Sequence, residues 1–489
     1  MSRFVALTAW LAATQLAAPA AGVTAGFEQH ACLYDKLPAF CGTLRVPEDR
    51  SNPGGRTIVL HFVRVPAVRT NGAPVAILDG GPGQSAISDM SQGIREDPLY
   101  GPLHASHELL LLDQRGTGLS HELQCRMYAK PGDVFAEIYP LDAVRRCRER
   151  LAKTSDLNAY GTDAAADDLD ALRQALGYGK VIAIGGSYGT IAALVYLRRH
   201  EAAVQSELLI SVAPTFFKIP LPQLQAAQRA LDALIRSCAR DTACHEHFPA
   251  FATEFASLLQ QSTGGISVNY RNGQTGERVR AKLMRPVFAN GVRLLLYAPD
   301  TAAWLPLLVH DAARGDPVPL AKVIAFMSEV VNGGNPGGQA MGDNIGVDCQ
   351  EGVAFITPQE ATQESQDTFM AGTILDARRD TCSIWNVRAA ESNFIEPVRS
   401  SVPVLMMSGA ADPATDPRYA TRQLAYLPNG RQILIPNGGH SNDNPCLTKI
   451  ELRFVQTSSV TGLDASCAKG FKRPSFATSL SQIPSQLLR

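Results

Sequence analysis

The pentapeptide Gly185-Gly186-Ser187-Tyr188-Gly189 stands between the apolar run Val181-Ile182-Ala183-Ile184 and the segment Thr190-Ile191-Ala192-Ala193-Leu194-Val195. The first run reads as a strand and the second as a helix, so the glycines fall on the turn between them. A serine on so sharp a turn sits in a strained backbone that only small neighbours permit, and its hydroxyl projects above the carboxyl end of a sheet. With Gly and Ser each near 7% of residues, about 0.17 copies of Gly-x-Ser-x-Gly are expected by chance in a chain of this length. The flanking strand and helix therefore carry the weight, and partners for the serine decide between a nucleophile and a plain glycine turn.

A hydroxyl needs a base to attack at neutral pH, and the base needs a group that fixes its tautomer. The strand-like run Val402 to Met407 leads into Ser408-Gly409-Ala410-Ala411-Asp412-Pro413, and Gln432 to Ile435 leads into Pro436-Asn437-Gly438-Gly439-His440. Serine, acid and histidine in that order, each after a strand, is the arrangement of the α/β-hydrolase fold. Asp412 is preferred to Asp416 because it is nearer the strand end. His440 is the histidine in a glycine turn after a late strand, whereas His200, His245, His247 and His310 have helical surroundings. For the oxyanion of a tetrahedral intermediate, the expected donors are the amide of Tyr188 and one from Asp79-Gly80-Gly81-Pro82-Gly83, with Gly81 preferred to Gly80. The loop Asp113 to Ser120 reads as a brace, with Arg115 structural.

The 489 residues are 45% hydrophobic and 19% charged, with 45 Lys plus Arg against 46 Asp plus Glu. A net charge of -1 without a basic stripe argues against nucleic acid as a partner. Arg3, an apolar stretch from Phe4 to Ala18 and small residues after it read as a signal peptide over 1–25, which implies a secreted or periplasmic protein without stable membrane insertion after cleavage. Ten cysteines after such a segment favour disulfides. Sequence does not fix their connectivity, and the simplest pairing joins neighbours along the chain: 32 with 41, 125 with 147, 238 with 244, 349 with 382, 446 with 467. A small loop closed by Cys238 and Cys244 is preferred to a metal site at Cys244-His245-Glu246-His247. No dinucleotide loop or metal-ligand spacing stands out, so no cofactor is expected.

Runs at 42–46, 57–63, 75–78, 108–112, 181–184 and 208–212 read as strands, and several are continuously apolar, as in a parallel sheet covered on both faces. Helices are expected over 162–176, along Leu224 to Ile235, and near 249–261, 284–297 and 317–331. From about 216 to 393 no strand run is apparent, and 332–338 reads as a glycine-rich loop. The expected division is a first part of the core over 26–213, a mainly helical cap over 214–395, and the rest of the core with a cysteine-bearing tail over 396–489.

The motifs Gly80-Gly81-Pro82-Gly83, Asp113-Gln114-Arg115-Gly116-Thr117-Gly118-Leu119-Ser120 and Gly185-Gly186-Ser187-Tyr188-Gly189-Thr190, with Asp412 and His440, resemble the serine aminopeptidases of the α/β-hydrolase fold. That family includes prolyl iminopeptidases and secreted bacterial tripeptidyl aminopeptidases. The resemblance implies a peptide substrate with a free amino terminus, held by an acidic cap residue for which Glu351 is the candidate. Asp79 stands where prolyl iminopeptidases have histidine, which weakens strict proline specificity. The expected activity is release of one to three amino-terminal residues through an acyl-enzyme. A carboxylesterase or lipase is the rival within the fold, and a catalytically silent envelope binding protein the rival outside enzymes. Dehalogenases and epoxide hydrolases are disfavoured, because they place a carboxylate where this chain has Ser187.

Overall fold

The computed structural model describes residues 26–488 apart from 70, 71, 92, 274 and 334–337. The expected signal peptide and the centre of the 332–338 loop lie outside the described residues.

Nine strands form one sheet: β1 (Phe27–Tyr34), β2 (Leu37–Pro47), β3 (Thr57–Val65), β4 (Val75–Leu78), β5 (Leu109–Leu112), β6 (Val181–Gly186), β7 (Val204–Ile210), and, numbered after a separate hairpin, β10 (Val404–Gly409) and β11 (Gly430–Ile435). Their spatial order is β1-β2-β3-β5-β4-β6-β7-β10-β11. The first three pair antiparallel at one edge, and β5 onward run parallel. The continuous apolar runs follow from burial on two sides. Leu109 and Leu111 of β5 join a core with Val75, Ile77, Ile182 and Ile184. Leu110 and Leu112 join the opposite core with Ala76, Leu78 and Ala183.

β1 carries no apolar run: Glu28, Gln29, His30 and Ala31 are exposed on the sheet edge, and its place is set by pairing with β2 and by the Cys32–Cys41 bridge. All five disulfides join sequence neighbours: 32–41, 125–147, 238–244, 349–382 and 446–467. The bond to Cys238 removes the Cys244 thiol from any metal-binding role.

Between β7 and β10 the chain runs mainly through helices, including Gln223–Arg240, Phe251–Gln261, Arg285–Leu295, Val318–Asn332, Met341–Val347 and Thr373–Trp385. One expectation is corrected there: β8 (Ile266–Arg271) and β9 (Arg278–Leu283) form an antiparallel hairpin. Its strands alternate, with Ile266 and Val268 buried and Ser267 and Asn269 exposed. That period-2 pattern lacks the long apolar stretch of the central strands. The carboxyl-terminal tail follows the last strand of the sheet. Its end packs on the inserted helices, with Ala477 N donating to Ala303 O at 3.1 Å and Lys322 Nζ donating to Leu488 O at 2.8 Å. Among the described residues no helix is long and apolar enough to cross a membrane.

Candidate active site

Ser187 occupies the turn between β6 and the helix Tyr188–His200 with φ 55° and ψ −123°, a conformation that costs about 1–3 kcal/mol and persists only where surroundings enforce it. The enforcement is visible. Ser187 N donates to Ile210 O at 2.9 Å and Thr190 N to Ser187 O at 3.0 Å. A Cβ on Gly185 would lie 2.3 Å from Gly189 O, and one on Gly189 would lie 2.1 Å from Leu78 O. These two glycines are required by close backbone approach, whereas a Cβ on Gly186 would meet nothing within 4 Å.

Asp412 and His440 follow the adjacent strands β10 and β11. Nδ1 of His440 lies 2.9 Å from Asp412 Oδ2 and 3.1 Å from Oδ1. The Asp412 carboxylate also accepts from Ala414 N at 2.7 Å, Thr415 N at 2.8 Å and Thr415 Oγ1 at 2.7 Å. Burial pushes this carboxyl upward, but attraction to His440 and the hydrogen bonds from His440 and Thr415 outweigh it and hold the pKa below the usual carboxylate range. An ionised carboxylate only accepts, so Nδ1 carries the ring hydrogen and Nε2 keeps its lone pair. Asp416 plays another part: it pairs with Arg229 and Arg418 and caps the helix Pro417–Leu424.

Ser187 and His440 line one cavity of about 610 Å³, together with Asp79, Gly80, Gly81 and residues of the insertion. The histidine loop is set partly from the insertion. Tyr297 O accepts from His440 N at 2.6 Å and Ser441 N at 3.1 Å, and the Tyr297 ring meets the imidazole edge-on at 4.8 Å.

Two backbone amides at the site have no acceptor among the described residues. Tyr188 N–H opens its helix and has no acceptor within it. Gly80 N–H donates to Asp79 Oδ1 at 2.7 Å, while Gly81, at φ +107°, donates to no group among the described residues. Arg115 lies off the cavity, buried on Asp168 at 2.7 and 2.8 Å and on Glu48 O at 2.6 Å.

Glu351 is not in this cavity, and the expectation for it is corrected. Its carboxyl takes Thr162 N and Thr162 Oγ1, each at 2.6 Å, and lines a separate small cavity behind Tyr188. Burial pushes its pKa up to about 8, so it is protonated at neutral pH. Three residues earlier, Asp348 does line the Ser187 cavity. It is 3% exposed, its Oδ2 lies 3.0 Å from Arg378 Nη2, and its Oδ1 has no hydrogen-bond partner. Burial raises this carboxyl and Arg378 opposes the rise, leaving it at about 6. Asp348 and Arg378 flank the Cys349–Cys382 bridge, and the cysteine spacing was the signal in the sequence that tied these two segments together. The cavity's other acids are Asp79, whose Oδ2 has no hydrogen-bond partner, and Asp89, which burial and the Asp79 charge push up to about 7.

The profile of the α/β hydrolase fold matches residues 73–277, and that of TAP-like proteins matches residues 367–467. The serine protease Hip1 of Mycobacterium tuberculosis is 26% identical over 83% of this chain and 82% of its own length. Carboxylesterase B of the same organism is 25% identical over 88% and 86%. The tripeptidyl aminopeptidase of Streptomyces lividans is 27% identical over 37% of each chain. With both profiles falling in order on one sheet, the chain belongs to the α/β-hydrolase fold, as a serine hydrolase related to the Hip1 protease and tripeptidyl aminopeptidase.

Proposed function

We propose that this hydrolase is an exported aminopeptidase that releases one to three residues from the free amino end of a peptide. Ser187 attacks the carbonyl, His440 takes its proton at Nε2 and returns it to the leaving amine, and Asp412 holds the imidazole and stabilises its charged form. The amides of Gly81 and Tyr188 receive the oxyanion. Water then hydrolyses the acyl-enzyme by the same route.

The observation that carries the peptidase reading is Asp348, a buried carboxylate with one unpartnered oxygen in the cavity of Ser187. A substrate ammonium supplies the donor that this oxygen lacks, which a neutral ester does not. Asp79 Oδ2 is likewise without a hydrogen-bond partner in this cavity, but burial raises the Asp79 carboxyl with no cation beside it, whereas Arg378 opposes that rise at Asp348, so Asp348 is the one held more readily as a carboxylate. Five disulfides suit folding in an oxidising compartment and support export. The second reading, a carboxylesterase, draws on the likeness to carboxylesterase B.

The test is incubation of the protein with an unblocked peptide and its acetylated copy, with product masses read beside a Ser187→Ala control. Cleavage of the free peptide alone, near its amino end, supports the proposal. Turnover of esters without cleavage of either peptide overturns it in favour of the esterase.

A further inference from the structure

The segment that follows the glycine-rich loop of the insertion is fastened to the oxyanion loop. Gln339 Nε2 donates to Pro82 O at 2.5 Å and Asn344 Nδ2 to the same oxygen at 3.1 Å. Ala340 N donates to Gly83 O at 2.8 Å. The fit leaves no slack: a Cβ on Gly83 would lie 2.7 Å from Ala340 O, and one on Gly81 3.3 Å from Gln339 Nε2. Pro82 directly follows Gly81, whose amide faces the oxyanion in the proposed mechanism, so both lone pairs of the Pro82 carbonyl are held by cap side chains.

Asn344 has a second connection. Its Oδ1 accepts from Arg378 Nη2 at 2.8 Å, and the same nitrogen reaches Tyr139 OH at 2.7 Å and Asp348 Oδ2 at 3.0 Å. The amide orientation is chemically forced, because guanidinium only donates and the Pro82 carbonyl only accepts. Asn344, Arg378 and Asp348 are 6%, 4% and 3% exposed, and hydrogen bonds in such a chain polarise one another. Arg378 keeps Nε and Nη1 without hydrogen-bond partners while its guanidinium lies over the Tyr139 ring at 4.2 Å, so when its hold on Asp348 changes, Asn344 Oδ1 and Tyr139 OH are the acceptors left to it.

We propose that Gln339 and Asn344 are positioning residues of the oxyanion loop, and that Asn344 relays to it the state of the Asp348–Arg378 pair. The relay half rests on the reading of Asp348 as the site of the substrate amine; the positioning half does not. When an ammonium draws Asp348 away from Arg378, the guanidinium turns to Asn344 Oδ1 and strengthens the grip of Nδ2 on Pro82 O. Recognition of the amino end then appears in kcat and not only in KM, as expected when binding is expressed in the transition state.

The experiment compares the wild-type chain with Asn344→Asp, which keeps an acceptor for Arg378 but offers Pro82 no donor, and with Gln339→Met. Each is assayed on p-nitrophenyl acetate, on a free peptide and its acetylated copy, and for affinity toward a boronic acid that forms a tetrahedral adduct; thermal midpoints confirm folding. Both variants are expected to lose about tenfold in kcat on the acetate ester with KM within about twofold, and to bind the boronic acid about tenfold more weakly. Asn344→Asp is also expected to shrink the kcat ratio of free to acetylated peptide, and Gln339→Met to preserve it. Unchanged ester kcat and boronic acid affinity in either folded variant overturn the positioning role. An undiminished peptide ratio in Asn344→Asp overturns the relay. If the wild type itself shows no such ratio, the amine reading and the relay fail together, while the ester and boronic acid measurements still decide the positioning role.

Discussion

Asp412 Oδ2 lies 2.9 Å from Nδ1 of His440, and the two residues reach each other from the ends of neighbouring parallel strands paired Ser408 with Leu434 and Gly409 with Ile435. Replacing Asp412 by Asn leaves the shape and removes the charge, so the imidazole loses both its fixed tautomer and the partner for its charged form. Asp412→Asn is expected to lower kcat by about 10³- to 10⁴-fold with KM changed little. Steady-state kinetics on one ester and one peptide check this.

Asp416 provides the contrast. Its carboxylate is 2% exposed and pairs with Arg229 and Arg418, so Asp416→Asn is expected to cost about 1–3 kcal/mol of stability while kcat stays within a few-fold. Denaturant unfolding beside the same kinetic assay separates the two aspartates.

Glu351 and Asp348 separate in the same manner. Glu351→Gln keeps the buried shape, and KM for a free-amine peptide is expected to stay within about twofold, whereas Asp348→Asn raises it about tenfold or more. The pH dependence has a definite sign. The folded pKa of Glu351 is raised from 4.5 to about 8 by burial, so the folded state binds more protons and stability falls as pH rises through that window. Glu351→Gln removes this slope, and its stability relative to wild type is expected to increase between pH 5 and 8, as read by unfolding at each pH.

The Cys349–Cys382 bridge closes a 33-residue separation between the segments bearing Asp348 and Arg378. Its removal by paired Ala substitutions is expected to cost about 3–4 kcal/mol by the chain-entropy relation. Because the two charges lose their common tether, KM for a free-amine peptide is expected to rise as well, which calorimetry and kinetics measure on the same preparation.

The positions of Ser187, Asp412 and His440 could be read in the sequence because each follows a strand that is apolar on both faces, and strand ends give a topological address. Strands β8 and β9 were hidden because their exposed residues are polar, and β1 because it carries no buried apolar run and takes its order from pairing with β2 and from a disulfide. Glu351 was a natural candidate by residue type, yet only the fold shows Thr162 donating to its carboxyl and Asp348 lining the Ser187 cavity instead. Tyr297, Gln339, Asn344 and Arg378 have no local pattern; they belong to the site because the insertion folds back onto loops far away in the chain.

The most direct measurement is reaction of the purified protein with a fluorophosphonate, followed by mapping of the adduct by mass spectrometry, with Ser187→Ala and Asp412→Asn beside it. A single adduct on Ser187, absent in Ser187→Ala and formed much more slowly in Asp412→Asn, is the predicted result. An adduct on another residue, or no adduct on a folded wild-type chain, would contradict Ser187 as the nucleophile of this hydrolase.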